Sequence, residues 1–372
     1  MLARLRFPVG RTRGREYPEP DHPYRNPFQR DRDRIVHSRA FRRLEAKTQV
    51  FTPGLSDHFR TRLTHTIEVA QIARTSAGVL GLDEDLTEAL ALAHDIGHPP
   101  FAHAGEEELD RQMAHFGEGF DHNRHALRIV ESFEQRYARF PGLNLSFEVR
   151  EGIVKHSRDF NAGDPEAEGL EPYLPGQRPP LEAQLIDLAD EIAYNTADLD
   201  DGFAAGLLTA DDAAAEVPQY ASIYEAIGMQ FPGATARERF YESLRCLIDT
   251  LVSGLIEGTR TAASDAAVAD FEDVRRWPKR LAVFTPDTAE ASRNLKSLLY
   301  RKVYSSAVLA ADRQTSMEMI GALFRWFVAE PSRLPPPYCE QAQSQPAHRV
   351  VCDYIAGMTD AFFRRTYEQM LP

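Results

Sequence analysis

Apolar residues return every three or four positions in stretch after stretch of this chain. Runs of alternating β-branched residues are nearly absent between them, which confines the 372-residue chain to an all-α fold. In residues 60–80, Leu63, Ile67, Ala70, Ala73, Ala77 and Leu80 mark one buried stripe of an amphipathic helix, with His65 beside it. Asp83 then has the character of an N-cap for a helix through Leu86, Leu90 and Ala93. Gly97 and Pro99 stop that helix and leave His94 and Asp95 on its last turn. Further helical patterns cover residues 123–137, 181–201, 220–229, 237–257, 290–310, 316–328 and 350–370, with a long loop at 158–180 and a Pro/Gln-rich connector at 331–346. The expected organisation is an arginine- and proline-rich arm at 1–30, a catalytic core at 31–210 and a C-terminal helical region at 211–372.

Composition removes several function classes. With 43% hydrophobic residues the chain can bury a large core, and no run of about 18 apolar residues or secretory h-region occurs, so a cytoplasmic protein without membrane spans is expected. Cys246, Cys339 and Cys352 are scattered, as suits a reducing compartment. The net charge of -13 conceals an asymmetry, because the first 43 residues carry twelve Arg against five acids. Such an arm either faces a polyanion or pairs with acidic surface of its own protein. Phosphate loops of the GxxxxGK[ST] kind and GxSxG elbows are absent. The aromatic residues Phe324, Trp326, Phe327, Phe362 and Phe363 read as core or subunit contacts.

The chemistry concentrates where the histidines do: eight of twelve fall between His58 and His125. Adjacent His94 and Asp95 point about 100° apart on a helix, so an ion between them needs ligands from other elements. His65 and an aspartate of the 181–201 helix are the natural partners, since Asp187, Asp190, Tyr194 and Asp198 follow three- and four-residue spacings along one polar face. A lone His-Asp pair at a helix end is ordinarily only hydrogen-bonded. The full series His65, His94-Asp95 and a downstream Asp resembles the HD phosphohydrolase superfamily.

The resemblance narrows with Thr48-Gln49-Val50-Phe51, Arg62 to Thr66, the run from His94 to His103, Phe120 to Arg124, Asp187 to Tyr194, Asp198 to Gly202 and Lys296 to Tyr304. In that order they are similar to the deoxyguanosinetriphosphate triphosphohydrolase family. The resemblance implies His65, His94, Asp95 and Asp190 as metal ligands, with His103 and Glu106 as catalytic imidazole and acid and His122 as a further active-site histidine. It also implies that Arg62, His98, Tyr194, Lys296 and Tyr304 belong to the triphosphate side, Asp198 to the sugar and Gln49 to the deoxyribose and base. Glu191 departs from the pattern, standing where some relatives carry a phosphate-binding Lys, and His125 stands where Gln is frequent.

The expected activity is hydrolysis of a deoxynucleoside triphosphate to deoxynucleoside and inorganic triphosphate. The expected cofactor is a divalent cation, manganese or magnesium first, with iron, cobalt, nickel or zinc also admitted by histidine and carboxylate ligands. The family further implies a homo-oligomer, a hexamer in several members, and a dNTP or single-stranded DNA effector. Two rivals stand beside this reading: an HD phosphohydrolase acting on a nucleoside monophosphate or guanosine polyphosphate, and a nucleic-acid-binding regulatory protein built on the arginine arm.

Overall fold

Residues 1–50, 59–161 and 163–371 are described by a computed structural model, and among them the regular structure is helical, with only isolated bridges in place of strands. Two compact units interleave along the chain. One is formed by residues 1–32, 65–92 and 146–306, the other by residues 33–64, 93–145 and 307–372. No helix among the described residues is long and apolar enough to cross a membrane.

In the first unit the helices Leu181–Ala204, Ala236–Asp265 and Pro286–Leu299 pack on one another. Two glycines on the middle helix allow the close approach: a Cβ at Gly254 would lie 1.9 Å from Thr288 Oγ1, and one at Gly258 2.3 Å from the Val283 carbonyl oxygen. The N-terminal segment belongs to this packing. Leu2, Leu5 and Phe7 are buried, and the Phe7 ring meets Phe28 and Phe271 edge-on. Its arginines pair within the unit, Arg6 with Asp83 at 2.6 Å, Arg15 with Asp31 at 2.5 Å and Arg32 with Glu88 at 3.2 Å. The arm is thus packed rather than extended. Proline and arginine content hid the apolar residues 2, 5 and 7, too few and too closely spaced to show a period.

The second unit packs helix Ala102–Ala114 against Ala307–Ala329 and Ala347–Ala356. Leu109, Met113, Ile320, Phe324, Phe327 and Ile355 form its core, and Phe363 on helix Asp360–Met370 joins them. Phe362, its neighbour in sequence, is exposed.

Several boundaries differ from the sequence reading. Residues 350–370 are two helices broken at Gly357, and the 290–310 pattern ends in a π-helical turn, Tyr300–Tyr304, before a new helix begins at Ala307. Residues 123–137 give only His122–Arg128 and a π-helical turn, Ile129–Phe133. The 158–180 loop carries two 3₁₀ turns and buries Ala167, Leu170 and Tyr173. On helix Arg62–Leu80 the stripe positions Ala70, Ala73, Ala77 and Leu80 are buried as expected, but the inward face also takes in His65, Val69, Ile72 and Ser76, whereas Ile67 is 54% exposed. Residue type suggested Ile67, but the inward face includes polar residues and passes through His65.

Candidate functional site

Helix Glu84–Ala93, capped by Asp83, is followed along the chain by the turn that carries His94 and Asp95, and that turn is part of the second unit. Asp95 Oδ2 accepts a hydrogen bond from Arg62 at 2.6 Å, and its Oδ1 lies 3.1 Å from His98 Nε2 and 3.7 Å from His94 Nε2. Burial raises the pKa of the Asp95 carboxyl, but Arg62, His94 and His98 outweigh it and hold the group well below the usual carboxylate range. His98 is shifted downward by burial first, then by Arg62 and His122. It therefore stands neutral, a hydrogen-bonding group without charge. Its Nδ1 is buried and makes no hydrogen bond among the described residues.

From His98 the arrangement continues outward. The His98 and His122 rings stack at 3.9 Å, and Glu106 Oε1 accepts from both the backbone N–H of His122 at 3.1 Å and its Nδ1 at 2.7 Å. Glu106 Oε2 lies 3.8 Å from Nδ1 of His103, whose side chain is 82% exposed. Burial opposes ionisation of Glu106, yet the two imidazoles overcome it and keep the carboxylate charged far into acid. Arg62, Asp95, His98, His122, Glu106 and His103 thus form one unbroken run from the HD aspartate to an open imidazole. Within it, His98, Glu106 and His122 each bring a ligand atom within 4.8 Å of the others.

Backbone geometry enforces this run. A Cβ at Gly97 would lie 2.0 Å from the His122 carbonyl oxygen and 2.5 Å from the Ala126 nitrogen, so only glycine lets the HD turn meet helix His122–Arg128. Phe101 adopts φ 62 at the start of helix Ala102–Ala114, which directs that helix and with it His103 and Glu106. Lys47 donates to the His98 carbonyl at 2.5 Å and the Ala356 carbonyl at 3.1 Å, and burial pushes its pKa down to about 7. Two residues on, Gln49 is half-buried and its Oε1 makes no hydrogen bond among the described residues. Phe51 and His58 lie outside the described residues. His125 faces Asp353 at 3.4 Å, and burial lowers its pKa, so it stands as a neutral imidazole beside the Arg128–Asp353 ion pair.

In the first unit, His65 Nε2 lies 2.8 Å from Asp190 Oδ1. Two ligands bound side by side to an ion at about 2.1 Å stand about 3 Å apart, so this pair fits a divalent metal in spacing and in donor type. Farther along helix Leu181–Ala204, Tyr304 donates to Asp198, while Lys296 lies 5.6 Å from the Tyr194 ring centroid. Burial moves both tyrosines upward, leaving neutral hydroxyl groups. Lys296 Nζ pairs with Glu191 at 2.8 Å, and Ser292 donates to the same carboxylate. The departure at Glu191 therefore has a structural counterpart: the expected phosphate-binding ammonium is bound to it.

An all-α fold carrying this HD turn, its preceding histidine and a downstream aspartate defines an HD-domain metal-dependent phosphohydrolase. The HD domain matches residues 62–195, and the phosphohydrolase-associated domain matches residues 282–369. Relatives named deoxyguanosinetriphosphate triphosphohydrolase-like protein are similar over nearly the whole chain. That of Azoarcus sp. (strain BH72) is 46% identical over 96% of this chain and 93% of its own, and that of Bordetella pertussis 45% identical over 99% and 96%. The Geobacter metallireducens relative is 43% identical over 96% and 92%. The chain belongs to the deoxyguanosinetriphosphate triphosphohydrolase-like family of HD-domain proteins.

Proposed function

We propose that this phosphohydrolase converts deoxynucleoside triphosphates to deoxynucleosides and inorganic triphosphate, using a divalent cation held by His65, His94, Asp95 and Asp190. The observation that carries the reading is the unbroken run from Asp95 to His103, which joins a candidate ligand to an exposed proton carrier. When bound, the cation supplies Lewis acidity toward phosphorus and a more acidic water. The residues of the chain do the rest.

Cleavage at the α-phosphorus releases the 5′-oxygen as an alkoxide, a poor leaving group that requires a proton. His103 is open to solvent and substrate, and Glu106, charged and fixed by His122, orients it and stabilises its protonated form. Arg62 and Lys296 offer charge-assisted bonds to the triphosphate, and His98 and Tyr194 offer neutral donors. Asp198, with Tyr304, is suited to accept from a sugar hydroxyl, and Gln49 to read the deoxyribose and base. Lys296 can serve only if triphosphate displaces Glu191, which makes this the weakest of the contacts.

The arm, core and C-terminal region, homo-oligomeric assembly and response to a dNTP or single-stranded DNA belong to the same proposal. Pairing of Arg6 with Asp83 and of Arg15 with Asp31 within their own unit speaks against these two arm arginines as an effector site. The deciding experiment incubates the purified protein with each dNTP and with Mn2+ or Mg2+, and separates the products by ion exchange. Triphosphate with deoxynucleoside supports the reading. Pyrophosphate or phosphate points instead to an HD phosphohydrolase with another substrate.

A further inference from the structure

The turn after helix Phe147–Val154 holds a histidine to which neither the sequence motifs nor the proposed reaction assigns a part. His156 is buried, its Nδ1 lies 2.9 Å from Asp187 Oδ1, and its Nε2 lies 3.7 Å from Asp190 Oδ2. Asp190 therefore has an imidazole at each oxygen, His65 at Oδ1 and His156 at Oδ2.

The turn that carries His156 is restrained far beyond what a surface turn needs. The Arg280 guanidinium donates to the carbonyls of Lys155 at 2.6 Å and Arg158 at 2.7 Å, bonds Asp159 at 3.1 Å and bonds Asp187. Ser157 stands at φ 59, a conformation disfavoured for a residue with a side chain, and its N–H donates to Asp187 Oδ1 at 2.9 Å. Strain of this kind persists only where the surroundings over-determine it, and it collects where a side chain must be aimed. Asp187 already receives Arg280 and the Ser157 N–H, so the imidazole is not needed to hold the turn. What His156 adds is its second nitrogen, facing Asp190.

We propose that His156, held by Asp187 and Arg280, is a positioning residue for Asp190. The ring blocks rotation of the carboxylate on its Oδ2 side and leaves Oδ1 directed, with His65, toward the cation. The role rests on Asp190 being a metal ligand, as in the function proposed above. Partners that orient a ligand commonly govern affinity by about 10- to 100-fold.

The test uses the full-length protein, stripped with chelator and titrated with MnCl2 alone. Melting of the metal-free protein is followed in parallel, and kcat and KM are measured at saturating Mn2+. In His156→Ala, the Mn2+ Kd should rise about 10- to 100-fold while the metal-free protein melts near the parent and saturating Mn2+ restores most of kcat. His156→Gln, which keeps a nitrogen at the reach of Nε2, should recover part of the affinity. Parental Mn2+ affinity in His156→Ala overturns the proposal. So does a fall in metal-free melting shared equally by the Ala and Gln variants with affinity intact, which marks a packing role. Asp190→Ala separates the two levels: parental affinity there overturns the metal assignment and this inference together, whereas lost affinity there with none lost in His156→Ala overturns the inference alone.

Discussion

Gly97→Ala is the smallest change that tests whether the run from Asp95 to His103 is built to a fixed geometry. The added Cβ would lie 2.0 Å from the His122 carbonyl oxygen, whereas ordinary contact begins near 3.4 Å, so the helix bearing His122 must retreat by about 1.4 Å. The Ala126 nitrogen at 2.5 Å and its Cβ at 2.8 Å bar the way on the same side, so rotation of one peptide does not relieve the clash. A retreat of that size parts His122 from His98, now stacked at 3.9 Å, and from Glu106, now at 2.7 Å. Misplacement by about 1 Å costs on the order of 100-fold in rate, and overpacking typically costs about 1–3 kcal/mol. The expected variant is folded, melts several degrees lower, and turns over dNTP about 100-fold more slowly with KM little changed. Steady-state rates on the best dNTP, with thermal melting alongside, measure both effects. Parental kcat with parental melting would refute the reasoning, because the turn and the helix would then have room that the geometry denies them.

Other expectations follow from the same contacts. His94→Ala and Asp190→Ala should each lose bound metal and turnover together while the fold persists, read by elemental analysis and circular dichroism; full metal content in either removes that residue from the ligand set. His103→Ala should lose about two to four decades in rate and keep its metal, with a smaller loss in Glu106→Gln, in line with general-acid contributions; near-normal turnover excludes His103 from proton transfer. Glu182 offers a pH test away from the site, since burial pushes its pKa up to about 7 although its Oε1 accepts the Phe7 and Asp83 N–H groups. A raised folded-state pKa means its contribution to stability is fully present below about pH 4.5 and is lost as pH rises through about 7. Glu182→Gln should abolish that part of the decline, on the order of 3 kcal/mol between pH 4.5 and 8, in urea titrations compared with the parent. Parallel stability curves for the two proteins would exclude a buried, titrating Glu182.

Much of the molecule was legible in one dimension because its signals are local. Three- and four-residue spacing and the Asp83 cap are set by backbone geometry within a few residues and so locate the helices, whereas ends are less exact: His94 and Asp95, expected on a last helical turn, stand in the turn after Ala93. His94, Asp95, His98, His103 and Glu106 were found because one short segment carries them all. What depended on distant partners was misread or missed. Ile67 was taken for core and His65 for its edge, since periodicity assumes that inward positions are apolar, while this helix turns a histidine and a serine inward. The two open readings of the arginine arm, facing a polyanion or pairing with acidic surface of its own protein, are separated only by the fold, because Asp83 meets Arg6 across 77 positions of chain. His156 is a lone histidine before a loop, and nothing in its neighbourhood in sequence signals Asp187, Asp190 or Arg280. Residue type and spacing determine which helices form and which side chains carry chemistry. Only tertiary packing decides which of those side chains meet, because contacts between residues 31, 93 or 125 positions apart leave no periodic trace in the chain.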